Sequence, residues 1–144
     1  MKKNYAVYWV AFKILLRKGN KILFLRCSGG GTWDLPGGRA DSDEGKVPLK
    51  KILEREIKEE LGNKIKYRIG NPAFQYRRYS AKKKIYNLLT VYEGKYVSGS
   101  VKLSSEHNAY EWINPKLYKF KEKDFSNKEE YKAFKEYFKK RKCL

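Results

Sequence analysis

Seven of the sixteen acidic residues in this chain fall within twenty positions: Asp41, Asp43, Glu44, Glu54, Glu56, Glu59 and Glu60. The last three lie in the run Arg55-Glu56-Ile57-Lys58-Glu59-Glu60-Leu61-Gly62. Apolar residues at 49, 52, 53, 57 and 61 give this stretch a helical period. A helix is therefore predicted over 49–61, with Pro48 in its first turn and Gly62 as its C-terminal cap. At 100° per residue, Glu56 and Glu60 stand about 40° apart and Glu59 about 60° from Glu56. Leu49, Ile52 and Leu53 occupy the same sector, so a packing stripe turns into carboxylate in its C-terminal half. Glu54 points away, about 160° from Glu56. Crowded carboxylates repel one another, and a helix C-terminus disfavours them further. A hard divalent cation would compensate; magnesium takes oxygen ligands and often shares carboxylates with substrate phosphates. The competing reading is a solvated acidic face paired with Lys50, Lys51, Lys58 and Arg55.

The elements that must carry these groups can be read from the same pattern. Residues 5–16 and 21–26 are rich in β-branched and aromatic residues, and Gly19-Asn20 turns one into the other as a hairpin. Residues 28–32 (SGGGT) form a loop, and 33–35 a short extended piece before Pro36, Gly37 and Gly38. Two glycines there allow close backbone approach or positive φ. Residues 39–47 are polar loop. Strands are predicted over 64–79, 84–97 and 109–113. Ser126 with Glu129 reads as a capping box. The helix that follows carries Tyr131, Phe134 and Phe138 on one face and ends in the basic tail KKRKCL. A mixed sheet with helices on both sides is the simplest packing of these elements, as one domain over 1–144.

The bulk properties narrow the function. The chain has 144 residues, 41% of them hydrophobic, which suits one domain with one core. Its apolar runs are too short to span a membrane. Lys13 interrupts the first of them, and no small-residue cleavage site follows, so the N-terminal segment is read as a strand rather than a leader. Two cysteines, Cys27 and Cys143, make no disulfide framework, and a cytoplasmic protein is expected. The net charge of +18 favours anionic partners, although a lysine-rich solvated surface gives the same number. Arg26 could touch a substrate phosphate, and Trp33, Phe74 and Tyr76 could stack on a base or pack in the core. The segment YRRYSAKKK interleaves aromatics with five cations (Arg77, Arg78, Lys82, Lys83 and Lys84), which could grip an RNA backbone. Solvation of a hairpin turn is the favoured reading of it.

The stretch from Leu35 to Gly62 resembles the Nudix hydrolase family. Its signature is Gly, five residues, Glu, seven residues, then Arg-Glu-apolar-any-Glu-Glu-any-Gly-apolar. Gly38, five residues and Glu44 fit, and Arg55 to Gly62 fits position by position. Ten residues (45–54) stand where the signature has seven, and Asn63 fills the last apolar position. The lead-in Trp33-x-Leu-Pro-Gly-Gly and the segment LSSEHNAYEW (103–112) also look like the family. The resemblance implies an α/β/α sandwich with a mixed sheet. It implies hydrolysis of a diphosphate linkage in a nucleoside diphosphate joined to another moiety. Glu56, Glu59 and Glu60 would hold Mg²⁺ or Mn²⁺, with the Gly38 carbonyl as a further ligand, and Arg55 would orient the carboxylates. Two carboxylates compete as general base: Glu60, and Glu106 in the late loop, which is also a candidate ligand. His107 is read as packing or hydrogen-bonding in that loop. A small nucleotide-type substrate is favoured over an RNA 5′ end. Two alternatives carry less support. Isoprenoid diphosphate isomerisation would need an activated Cys27, and a non-catalytic nucleotide sensor would have lost the helical glutamates.

Overall fold

The computed structural model describes residues 3–27 and 31–141. Part of the loop over 28–32 and the end of the basic tail, with Cys143, lie outside the described residues. Seven strands form one sheet: β1 (Tyr8–Lys18), β2 (Lys21–Cys27), β3 (Trp33–Asp34), β4 (Gly37–Arg39), β5 (Lys66–Ser80), β6 (Ile85–Ser98) and β7 (His107–Ile113). Two helices, α1 (Leu49–Leu61) and α2 (Lys128–Arg141), flank it. The main order is β3-β2-β1-β6-β5, with β4 paired to β1 and β7 to β2. β1 runs parallel to β6, while the other pairs are antiparallel. The expected α/β/α sandwich with a mixed sheet is what the chain forms.

Strand alternation divides the core in two. Phe12, Ile14 and Leu16 of β1 join Leu23 and Leu25 of β2 under α1. Ala11 and Leu15 point the other way and join Phe24, Leu89 and Val91 under Phe134 and Tyr137 of α2. Lys13 lies between Ala11 and Leu15 in the strand and is itself buried. So α2 covers only the lower half of its face, and the upper half stays open as a cleft around Ala11, Lys13 and Leu89.

Three local readings need correction. Leu49 is 53% exposed, because α1 is buried only from Ile52 onward. Pro48 takes the N-cap position with extended backbone rather than the first turn. At α2 the cap falls on Asn127, not Ser126: the Asn127 Oδ1 accepts the Glu130 amide at 2.8 Å, and Glu130 reaches back to the Ser126 N–H at 3.1 Å. Glu129 is thereby free to bind elsewhere. At the far end of α1 the expectation holds: Gly62 has φ +84° and donates its N–H to the Lys58 carbonyl.

Candidate active site

The last two turns of α1 meet the Gly37-Gly38 strand at the mouth of the cleft. Glu60 is 4% exposed. Its Oε1 accepts the Gly37 N–H at 2.9 Å, and its Oε2 is buried without a hydrogen-bond partner among the described residues. His107 Nδ1 stands 3.3 Å from that oxygen, yet it too makes no hydrogen bond. Gly37 is required by contact with backbone, and Gly38 leaves room for the Glu56 carboxylate. A Cβ on Gly37 would strike the Phe12 carbonyl, and one on Gly38 would strike the Glu56 carboxylate. Gly37 also holds φ +135°, which a side chain would oppose.

Arg55 organises the other acids. Its guanidinium donates to Glu44 at 2.6 and 2.9 Å, to Glu56 at 3.0 Å and to Glu59 at 3.1 Å. The longer loop before Pro48 therefore still returns Glu44 to the cluster. Hydrogen bonds from Arg55 hold the Glu44 carboxyl below its usual range. Burial acts oppositely on the neighbouring pair. It raises Glu56, and it pushes Glu60 up to about 8 despite the Lys13 ammonium. A buried carboxylate with an unused oxygen, beside a second one raised by burial, is a fitting pair of donors for a hard divalent cation.

The opposite wall is built from ions that the sequence did not single out as a group. Lys13 donates to Asp34 at 3.1 Å and to the carbonyls of Leu35 and Gly37, both at 3.2 Å. Arg78 joins Asp34 at 3.0 Å and Glu130 of α2 at 2.5 Å. The two cations outweigh burial, and Asp34 titrates far below an ordinary carboxyl. Ligand-type atoms of Cys27, Asp34 and His107 cluster within 4.8 Å, but both Asp34 oxygens already face cations. Burial raises the Cys27 thiol and lowers the His107 imidazole. Cys27 is thus no activated thiolate.

The cleft between these walls measures about 420 Å³ and is also lined by Arg39, Asn87 and the rim residues Ser80 and Glu106. Trp33 does not reach it. It is 2% exposed and packs edge-on against Phe24 and Tyr118, because β3 turns it into the α2-side core. Arg26 lies over the Trp33 ring at 3.9 Å and donates to the Gly31 carbonyl. Neither residue lines the cleft. Tyr76 and Phe74 pack against Phe134 of α2 and are unavailable for stacking. Arg77 and Arg78 are committed to Glu129 and Glu130, so the supposed five-cation grip keeps only Lys82, Lys83 and Lys84. The sequence signal for the missed wall was present: one lysine inside an apolar strand and one aspartate before the Gly-Gly turn.

Comparison with curated proteins finds no match. Solved structures do. The MutT protein of Methanosarcina mazei Go1 is 28% identical, with a TM-score of 0.69 over 96% of this chain and 95% of that one. A UDP-X diphosphatase is 20% identical, with a TM-score of 0.66 over 96% of this chain and 66% of that one. An ADP-ribose pyrophosphatase of Streptococcus suis 89-1591 is 19% identical, with a TM-score of 0.53 over 74% of each chain. The NUDIX domain pattern matches residues 7–134. That match runs from the strand before Lys13 into α2 and takes in both walls of the cleft, so the chain belongs to the Nudix family.

Proposed function

We propose that this chain hydrolyses the diphosphate linkage of a nucleoside diphosphate joined to another moiety, using Mg²⁺ or Mn²⁺. The observation that carries the reading is the buried Glu60, whose Oε2 has no hydrogen-bond partner among the described residues, together with the Glu56 carboxylate set against Gly38 on the same side of α1. Glu56, Glu59 and Glu60 would hold the metal, with the Gly38 carbonyl beside them. Such a metal, when bound, neutralises phosphate oxygens and lowers the pKa of water.

The chain's own residues do the rest. The Gly37 amide fixes one Glu60 oxygen and so aims the other. Arg55 fixes Glu56 and Glu59 through one guanidinium and resists their mutual repulsion. Arg39 gives the cleft a positive lining for the substrate diphosphate. Glu106, exposed on the rim, is assigned as the general base. Glu60 is too enclosed to exchange a proton readily once it holds metal. Two structural relatives are named for ADP-ribose and UDP-linked compounds, both of this substrate class.

A panel of ADP- and UDP-linked sugars, dinucleoside polyphosphates, nucleoside triphosphates and triphosphorylated RNA, assayed with Mg²⁺ or Mn²⁺, tests the reading. Turnover of a small diphosphate-linked nucleotide that stops with EDTA is expected. Full turnover in chelator, or turnover of RNA alone, would overturn it.

A further inference from the structure

At the opposite end of α2 from the cleft lies a second hollow, of about 250 Å³. It is lined by Arg17 from the end of β1, Asn20 from the hairpin turn, Asn114 and Lys116 after β7, and Phe138 and Arg141 from the last turn of α2. Arg17 stands four residues beyond Lys13 on the same strand, a separation of about 13 Å. The packed α2 ring Phe134 and its neighbour Tyr137 fill the space between, so the two hollows do not merge.

Its charge is one-sided. Arg17, Lys116 and Arg141 line it, and Arg68 and Lys95 line the adjoining hollow across Arg17 and Arg141. The carboxylate there, Glu93, already accepts the Tyr137 hydroxyl at 2.5 Å and lies 3.9 Å from Arg141. Arg17 gives one nitrogen to that same hydroxyl at 3.1 Å. Its Nε–H is buried and has no partner among the described residues. A buried donor left unmade costs free energy that an acceptor would recover. Guanidinium groups match the oxygens of a phosphate in a planar fork, and the two asparagine amides add neutral donors.

We propose that this hollow binds a compact phosphorylated anion, of pyrophosphate or mononucleotide size, as a second site separate from the catalytic cleft. The concave shape and small volume favour a free small molecule over the backbone of a polynucleotide. The proposal does not depend on the reading of the cleft, because no lining residue is shared.

The test uses the full chain in EDTA, titrated with inorganic pyrophosphate and followed by NMR. Saturable shifts are expected in the side-chain amides of Asn20 and Asn114 and in the Arg17 Nε–H. The double variant K116E/R141E should weaken binding there at least tenfold. K82E/K83E, with the same change in net charge at the β5–β6 turn, should weaken it less than twofold. Lys116→Ala, which removes a side chain with no ion pair among the described residues, should cost severalfold by itself and guards against a fold defect in the double variant. Equal losses in the two double variants would reduce the effect to the general +18 field and overturn the proposal. Shifts confined to the cleft, or tighter binding of a short single-stranded RNA at these same amides, would also overturn it.

Discussion

Asp34 and Glu60 are both buried carboxylates on the walls of one cleft, and they are treated in opposite ways. Asp34 meets two cations, Lys13 and Arg78, and stays ionised well below the usual carboxyl range. Glu60 receives one backbone N–H and, among the described residues, no lysine or arginine within ion-pair distance; only the His107 imidazole stands near it, and burial lifts it to about 8. The first carboxylate completes a structure; the second is an incomplete one that needs a positive charge from outside. Burial alone therefore does not distinguish a structural acid from a functional acid. The count of cations already in contact does.

The largest effect should follow from breaking the satisfied wall. Asp34→Asn leaves the buried Lys13 without its counter-charge and Arg78 with Glu130 alone, and should cost about 3–5 kcal/mol of folding stability, read by urea denaturation. Glu60→Gln and Glu56→Gln should instead fold as well as the parent and lose rate on the order of 10²–10³-fold, about 3–4 kcal/mol of transition-state stabilisation. Should Glu60→Gln unfold while Asp34→Asn keeps its stability, the contrast between the walls is inverted.

A subtler effect is sharpened by pH. Glu60 keeps its proton in the folded state up to about 8, whereas an unfolded glutamate releases it near 4.5. The folded state therefore binds more protons across that window, and metal-free stability should fall as pH rises through it. His107, lowered by burial, works against this below its unfolded value, as it binds fewer protons when folded. Comparing parent with Glu60→Gln by thermal melts in EDTA isolates the Glu60 contribution. The parent's melting temperature should drop relative to the variant between pH 5 and pH 8, and added Mg²⁺ should close the gap. Identical pH profiles would refute the assignment.

The smallest effect is expected at Glu54, which pairs with Lys51 on the exposed side of α1. Glu54→Gln should change rate by less than about twofold, as surface pairs contribute little. A loss matching that of Glu56→Gln would show that the facing of α1 is wrong.

What could be read in advance was local. The α1 glutamates and Gly62 obey spacing rules that span a few residues, and the chain folds them as expected; Gly37 and Gly38, legible as a place of close approach, lie in the short strand β4. Arg55 was legible as an organiser because it is one turn from Glu59. Glu44 was legible as a motif position but not as an Arg55 partner, since a loop of altered length intervenes. The chain Lys13–Asp34–Arg78–Glu130 joins residues 21, 44 and 52 positions apart, and no local period reports such pairings. Trp33 shows the same limit. An aromatic before a turn reads equally as stacking surface or core until the pairing of β3 with β2 decides its face. The cap of α2 was missed by one residue because Ser126 and Asn127 are both good N-caps, and Glu129 and Glu130 both suitable partners.

The clasp between β5 and α2 has a consequence for the order in which the protein comes into being. Asn127 takes up the Arg77 carbonyl and Glu129 its N–H, so α2 closes the outer rim of the sheet at that point. A nascent chain whose synthesis has reached only β7 carries that rim bare, a template on which another strand can add. The same chain holds Asp34 with only part of its counter-charge, because Arg78 has yet to be steadied by Glu130. Addition of α2 thus covers the bare edge of β5 and steadies the Asp34–Arg78 wall in one event. A chain that lacks α2 leaves the β5 edge unguarded and Arg78 without its Glu130 partner.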